Sequence, residues 1–288
     1  MDAVYRKELR SYFSNMSGYI PIALILMMTG IFVKLYSLNY GYPQMEVALP
    51  NVTLVLLFAI PILAMRSFAE ERRQKTDILL YSLPVTTGQI VAGKYFAMMT
   101  VLAVPCGIML LVPFLMSMYG KVNLLMSICA IVAFYLLCAA MTAICMFMSS
   151  LTESQIIAAV ISFITLLCLY ASSMISEAIP TTPVASFISV TVMICLAGLI
   201  VYLFTKNYWI AFGVAVAGEI VALAFYLKDS SLYTGLAQKI ISAISIFNRI
   251  DAFVTDQLFD MTAVVYYISI AFAFCFLTAQ VVDRRRYN

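Results

Sequence analysis

The chain has 288 residues, 64% of them hydrophobic and 11% charged, with a mean hydropathy of +1.00 and a net charge of +3. Soluble domains carry about a quarter charged residues, so this composition excludes a water-soluble globular protein and requires a lipid environment. The absence of histidine removes H-E-x-x-H zinc sites, Ser–His and Cys–His nucleophile pairs, and haem ligation by His.

A bilayer core takes about 20 apolar residues per helix. Eight charge-poor stretches meet this length: 18–38, 50–68, 95–119, 122–149, 154–175, 186–205, 208–227 and 262–282. The expected fold is therefore an all-α integral membrane bundle of about eight transmembrane helices. The hairpin 186–227 is the weakest pair, and its removal would leave six spans with the same end orientations. Ahead of the first span, Asp2–Ser17 has Tyr5, Leu9, Tyr12, Phe13 and Met16 at helical spacing. Asp2, Arg6, Lys7, Glu8, Arg10 and Ser14 fall on the other face, the pattern of a helix lying in the headgroup layer. A basic orientation signal with incidental helicity is the plainer reading. No cleavable leader is evident, because the first apolar run begins late and lacks a small-residue exit.

Arg66–Lys94 is the densest charged interruption. Eight of the 31 ionisable Lys, Arg, Asp and Glu residues sit there, so it must lie in water and is the natural dock for a partner. The residues expected to carry docking are Arg66, Glu70, Glu71, Arg72, Arg73, Thr76, Asp77, Leu79, Leu80 and Pro84. A short helix through this segment ends at Pro84, because a residue preceding proline disfavours the helical region. Thr86 and Gln89 then form a capping box that opens a second helix leading into span three. Gly88-Gln-Ile-Val-Ala-Gly93-Lys94 matches the phosphate-loop spacing, but Tyr95 stands where that loop needs Ser or Thr. It reads as a chance match. Ser150–Glu153 is a tight turn and a second, smaller contact surface, or simply a solvated turn.

Pro61, Pro105 and Pro113 lie inside spans, where proline kinks a helix. All seven cysteines fall within spans without CxxC spacing and read as small buried apolar residues. Glu219 is the one ionisable residue deep inside a predicted span. At that depth it is either a substrate or proton site, or a protonated carboxyl hydrogen-bonded to a neighbouring helix. The segment 228–261 is too polar to span. Leu236, Ile240, Ile241, Ile244 and Phe247 share one helical face, followed by Asp251, Asp256 and Asp260, so outer interfacial or re-entrant helices are expected.

With both termini inside, the cytoplasmic side holds Arg6, Lys7, Arg10, Arg66, Arg72, Arg73, Lys75, Lys94, Lys206, Arg284, Arg285 and Arg286. The outside holds Lys34, Lys121, Lys228, Lys239 and Arg249. This is the positive-inside bias, and it accounts for the net charge without any nucleic-acid partner.

Arg66-Ser-Phe-Ala-Glu-Glu71, Thr76, Leu79-Leu80, Pro84-Val85 and Gln89-Ile-Val-Ala-Gly93-Lys94 together resemble the signature of permease subunits of type-2 ABC exporters. The likeness is greatest to the gliding-motility-associated branch, and Phe247–Asp251, Val264–Tyr266 and Arg284–Tyr287 resemble its last outer segment and final span. The family commonly has Gly-Thr-x-Glu after its basic run, where this chain has Lys75-Thr76-Asp77-Ile78. The resemblance implies a single permease domain with a six-span core. Its parts are an interfacial helix at 1–17, a cytoplasmic coupling region at 69–94, an inserted hairpin at 186–227 and extracytoplasmic helices at 228–261. It further implies a cell-membrane exporter with no catalysis or cofactor of its own. ATP and magnesium would belong to a separate ABC ATPase docking on the coupling helix, and a second permease, identical or homologous, would complete the pathway. Two other functions compete on the residues alone. One is a proton- or cation-coupled secondary transporter using Glu219, and the other is a non-transporting membrane scaffold or sensor.

Overall fold

The computed structural model describes residues 1–39, 45–76, 85–118, 120, 122–178, 182–183, 186–194, 212–213, 216, 219, 235–250 and 261–287. Among these residues the regular structure is entirely helical. In order come α1 (Asp2–Ser14), α2 (Met16–Val33, widening into a π-helical turn at Lys34–Leu38), α3 (Leu49–Ala64) and α4 (Ala69–Arg73). They are followed by α5 (Thr87–Met109), α6 (Leu111–Ser117), α7 (Leu124–Leu151), α8 (Gln155–Ala178), α9 (Leu236–Ile244) and α10 (Met261–Tyr287). A helix bonds its own backbone internally, which is what hydrocarbon demands of any spanning segment.

Among the described residues, six helices are long and apolar enough to cross a membrane: Met16–Leu38, Leu49–Arg73, Thr87–Ser117, Leu124–Leu151, Gln155–Ser176 and Met261–Arg285. They match six of the eight expected spans, and the chain is an integral membrane helical bundle. The remaining pair, 186–227, lies largely outside the described residues. Span three is interrupted at Leu110, between α5 and α6. Pro113 is the cause that local chemistry offers, since it has no N–H to give and its ring crowds the carbonyl four residues back.

The chain divides into two compact units. The first, Met1–Cys168 with Phe247–Asn288, is built around α7, which packs against α10, α3 and α5, while α2 lies on α3 and α5. Leu56, Ile60, Leu63, Val101, Phe134 and Tyr267 are fully buried there. Side-chain bonds fix which helix ends meet. Phe68 and Ala69 N–H reach the Ser149 hydroxyl, Arg285 donates to the Leu151 carbonyl and Thr87 to Asp283. The end of span two, the start of span three, the end of α7 and the end of α10 therefore share one end of the bundle. At the opposite end, Ser127 at the start of α7 donates to the buried Glu46 carboxylate at 2.8 Å. The second unit, Leu169–Ile246, contains a helical stretch at 186–194 and α9, a helix within the segment 228–261. Asp251, Asp256 and Asp260 lie outside the described residues.

α1 corrects the sequence reading of its faces. Its buried residues are Val4, Glu8 and Tyr12, one helical line that mixes a carboxylate with apolar neighbours, while Met16 is exposed. α1 packs on α5 at Gly93, where an added Cβ would come within 3.2 Å of Val4 and 3.3 Å of the Met1 carbonyl. Gly18 permits the sharp turn from α1 into α2, because a Cβ there would meet the Tyr12 carbonyl oxygen at 2.7 Å.

The two glycines of the phosphate-loop lookalike should thus respond oppositely. Gly93→Leu is expected to cost about 1–3 kcal/mol through overpacking. Gly88→Ala, where nothing lies within 4 Å of the new Cβ, is expected to gain up to about 1 kcal/mol of helix propensity. Thermal unfolding of the two purified variants in detergent checks the sign of each change.

Candidate functional site

Three helices converge on one lysine. Lys94, about two turns into α5, is 1% exposed. Its ammonium donates to Glu8 Oε1 at 2.9 Å and to the Ser67 carbonyl at 2.7 Å, and lies 2.9 Å from Glu71 Oε2. An ammonium has three donors, and here each has its own acceptor. The Phe68 ring covers a further side at 5.1 Å, a cation–π contact. Glu71 uses its second oxygen as well, since Lys7 Nζ donates to Oε1 at 2.8 Å. Two cations and two carboxylates from α1, α4 and α5 thus form a closed knot. Tyr12 flanks it on α1, donating to the Leu63 carbonyl. Burial, reinforced by the Glu8 carboxylate, pushes the Tyr12 phenol far above its ordinary range, so it remains a neutral donor.

α4 is only five residues long, too short to persist on its own. Its start is capped from another helix: the Ser149 hydroxyl of α7 accepts from Phe68 N–H at 3.4 Å and Ala69 N–H at 3.3 Å, and donates to the Met65 carbonyl. Its end is a Schellman motif, in which Thr76 N–H bonds the Glu71 carbonyl and Lys75 N–H the Arg72 carbonyl, as such caps require. Lys75 sits in the left-handed region at φ +54°. The short helix α4 thereby closes at Arg73, and Pro84, the expected end of a helix in this segment, lies outside the described residues. The expected capping box is present beyond it: Gln89 N–H bonds the Thr86 hydroxyl, and the Gln89 side chain accepts from Thr86 N–H.

The residues expected to dock a partner are not equivalent. Arg66 and Glu70 pair with each other through two contacts. Glu71 belongs to the knot. Arg72 donates to the Thr152 carbonyl at 3.4 Å, tying α4 to the turn after α7. Thr76 donates back to the Glu71 carbonyl. Arg73 is exposed, as are Gln74 and Lys75. Asp77, Leu79, Leu80 and Pro84 lie outside the described residues. Glu219 belongs to the second unit, where it accepts from the Thr191 hydroxyl at 3.2 Å. Sequence reasoning does not single out Lys94, Lys7, Glu8 or Ser149 for this site. Glu8 reads as part of the polar face of α1, although its i±4 spacing from Val4 and Tyr12 is the available signal. Ser149 carries no local signal, because its partners are about 80 residues away.

A polar cavity of about 570 Å³ opens beside the knot, lined by residues that include Lys7, Ser11, Asn15, Arg66, Glu70 and Gln74. Gly88–Lys94 lies within helical α5, so its backbone N–H groups face along a helix and Lys94 has no donor to spare for phosphate. Among the described residues no group of three or more Cys, Asp or Glu is placed to hold a metal.

A family profile described as ABC-2 family transporter protein matches residues 15–214, more than half of the chain. The chain belongs to the ABC-2 transporter family. It is a permease subunit of an ABC transporter, of a family that is generally a non-enzymatic transport component, and membership implies association with an ABC ATPase subunit and the membrane. This ABC-2 permease matches no curated protein and no solved structure. The matched range contains Glu71 and Lys94, and leaves Glu8 outside it.

Breaking a buried ion pair by removing one partner costs about 3–5 kcal/mol, whereas exposed pairs contribute about 0–1 kcal/mol. Lys94→Ala is accordingly expected to lose about 3–5 kcal/mol of stability. Arg66→Ala, at a pair about a fifth to a quarter exposed, should lose about 1 kcal/mol or less. Lys75→Gly should instead gain about 1 kcal/mol by relieving the left-handed backbone. Equilibrium unfolding of the three variants in one detergent ranks them directly.

Proposed function

We propose that this ABC-2 permease is an exporter subunit of the gliding-motility-associated kind, driven by a separate ABC ATPase that docks on the exposed side of α4 and the following loop. ATP and magnesium are held by that ATPase. A second permease subunit, identical or homologous, completes the translocation pathway in the cell membrane. Closure of the ATPase dimer pushes on α4, and the displacement passes into spans two and three. The observation that carries the reading is the anchoring of α4. A five-residue helix is held by Ser149, Thr152 and Lys94 from three directions, which suits it to pass on a push.

The same end of the bundle carries Arg66, Arg72, Arg73, Lys75, Arg284 and Arg285, together with the basic residues of α1. That concentration supports a cytoplasmic location for this end and for both termini. Because Arg66, Glu70, Glu71 and Lys94 neutralise one another, the charges α4 offers outward are cationic, Arg73 and Lys75. The complementary ATPase surface is therefore acidic.

Reversing both charges, Arg73→Glu with Lys75→Glu, is expected to lower the ATPase recovered with the tagged permease by about tenfold or more, while the unfolding midpoint of the permease stays unchanged. Undiminished recovery would place the dock elsewhere. Substrate movement by the purified permease with no nucleotide-hydrolysing partner would overturn the exporter reading itself.

A further inference from the structure

We infer that Lys94 is a positioning residue for ATP coupling, joining α1, α4 and the start of span three so that they move as one unit. The inference rests on the proposed docking of an ATPase at α4. It goes further by assigning the route of the displacement and by making α1 part of the moving assembly.

The covalent route from α4 to α5 runs through residues 74–86. The ionic route is far shorter, because Glu71 on α4 and Lys94 on α5 are 2.9 Å apart. α1 enters this route twice. Lys7 grips Glu71 Oε1 directly, and Glu8 grips the same ammonium that holds Glu71 Oε2. The glycine beside Lys94 lets the α1 backbone come close enough for these contacts. A displacement of α4 therefore pulls on Glu71, through Glu71 on Lys94, and through Lys94 on Glu8.

The chemistry of the knot argues against a passive staple. Apolar residues of similar volume hold fixed helices together as well as buried ion pairs do, and often better. What a fully engaged ammonium adds is register: three directional donors specify where three helices stand relative to one another, and buried ionic groups are best attested in that role. Tyr5, whose hydroxyl meets that of Thr100 at 2.9 Å, extends the α1–α5 contact nearly two turns further along span three.

Hydrogen–deuterium exchange on the permease purified with its co-isolated ATPase tests this, without nucleotide and with ATP plus vanadate. In the wild type, peptides covering 2–14 and 87–100 should change protection together on trapping. In Lys94→Met, the ATPase should still co-purify, and 2–14 should exchange about tenfold faster before nucleotide is added. The nucleotide-induced change in 87–100 should then be lost. Glu8→Gln keeps an acceptor oxygen for Lys94 and leaves Glu71 in place, so 87–100 should keep its response while that of 2–14 weakens. A wild-type nucleotide response of 87–100 in Lys94→Met overturns the inference. Should Lys94→Met fail to fold, equal wild-type responses of both peptides in Glu8→Gln overturn it instead. If no ATPase accompanies the wild type, the docking reading falls. Exchange of 2–14 in the isolated chain then decides the latch, and an unchanged rate in Lys94→Met sinks it.

Discussion

A lysine buried at the end of a membrane bundle sets the geometry of everything around it. Desolvating an ammonium costs several kcal/mol unless the geometry of its partners is excellent, so Lys94 tolerates little freedom in the groups that surround it. Glu8, Glu71 and the Ser67 carbonyl each supply one acceptor. Each comes from a different position on the chain; Glu8 and Glu71 fix the helices that bear them, and Ser67 fixes the turn between α3 and α4. α1 cannot slide along α5 without exposing a donor. α4 cannot rotate without leaving Lys7 and Lys94 short of a carboxylate oxygen. Gly93 belongs to the same constraint, since a Cβ there would come within 3.2 Å of Val4 and oblige α1 to give way.

The short helix α4 depends on this arrangement from the other side. Five residues do not offset the cost of nucleating a helix, so its ends need outside support. Ser149 supplies donors' partners at the start, and the Schellman bonds close the end. Lys75 takes a backbone conformation that glycine adopts at little cost and that other residues adopt at about 1–2 kcal/mol. In the type-2 exporter signature that this segment resembles, glycine is common at this position, and here a cation stands in its place. Stability is given up at the tip of α4, and a positive charge is gained on its outward side beside Arg73.

Much of this was legible in the sequence where the signal is local. Hydrocarbon length and the absence of charge identify α2, α3, α5, α7, α8 and α10 directly, because every residue of a span contributes to the same decision. The Thr86–Gln89 box is legible because both partners lie three residues apart. α1 was legible as a helix but not in its orientation. A carboxylate at Glu8 looks like a solvent-facing residue until the buried Lys94 that pairs with it is known. The end of α4 was illegible for a related reason: Lys75 has no propensity for the left-handed region, so only the finished hydrogen bonds of Thr76 and Lys75 reveal the stop. Pro84, the breaker that the sequence offers for this segment, lies outside the described residues.

The charged loop first stands out as a dense polar surface, and the contacts divide it into an inner and an outer part. Arg66 with Glu70, and Glu71 with Lys94, cancel in pairs, and Arg72 turns toward the Thr152 carbonyl. These residues hold the loop in place. Of the described charges between 66 and 94, Arg73 and Lys75 are the exposed ones. Charge density in a sequence therefore overstates how much of a loop faces a partner. In a bundle with few polar residues, ionic groups are also the strongest directional contacts available for joining helices at a membrane edge. The proposed coupling needs both uses at one place, because an element that receives a push must also be tied to what it moves. Glu71 and Arg73, two residues apart on α4, divide these tasks: one is bound into the bundle and the other is turned out of it.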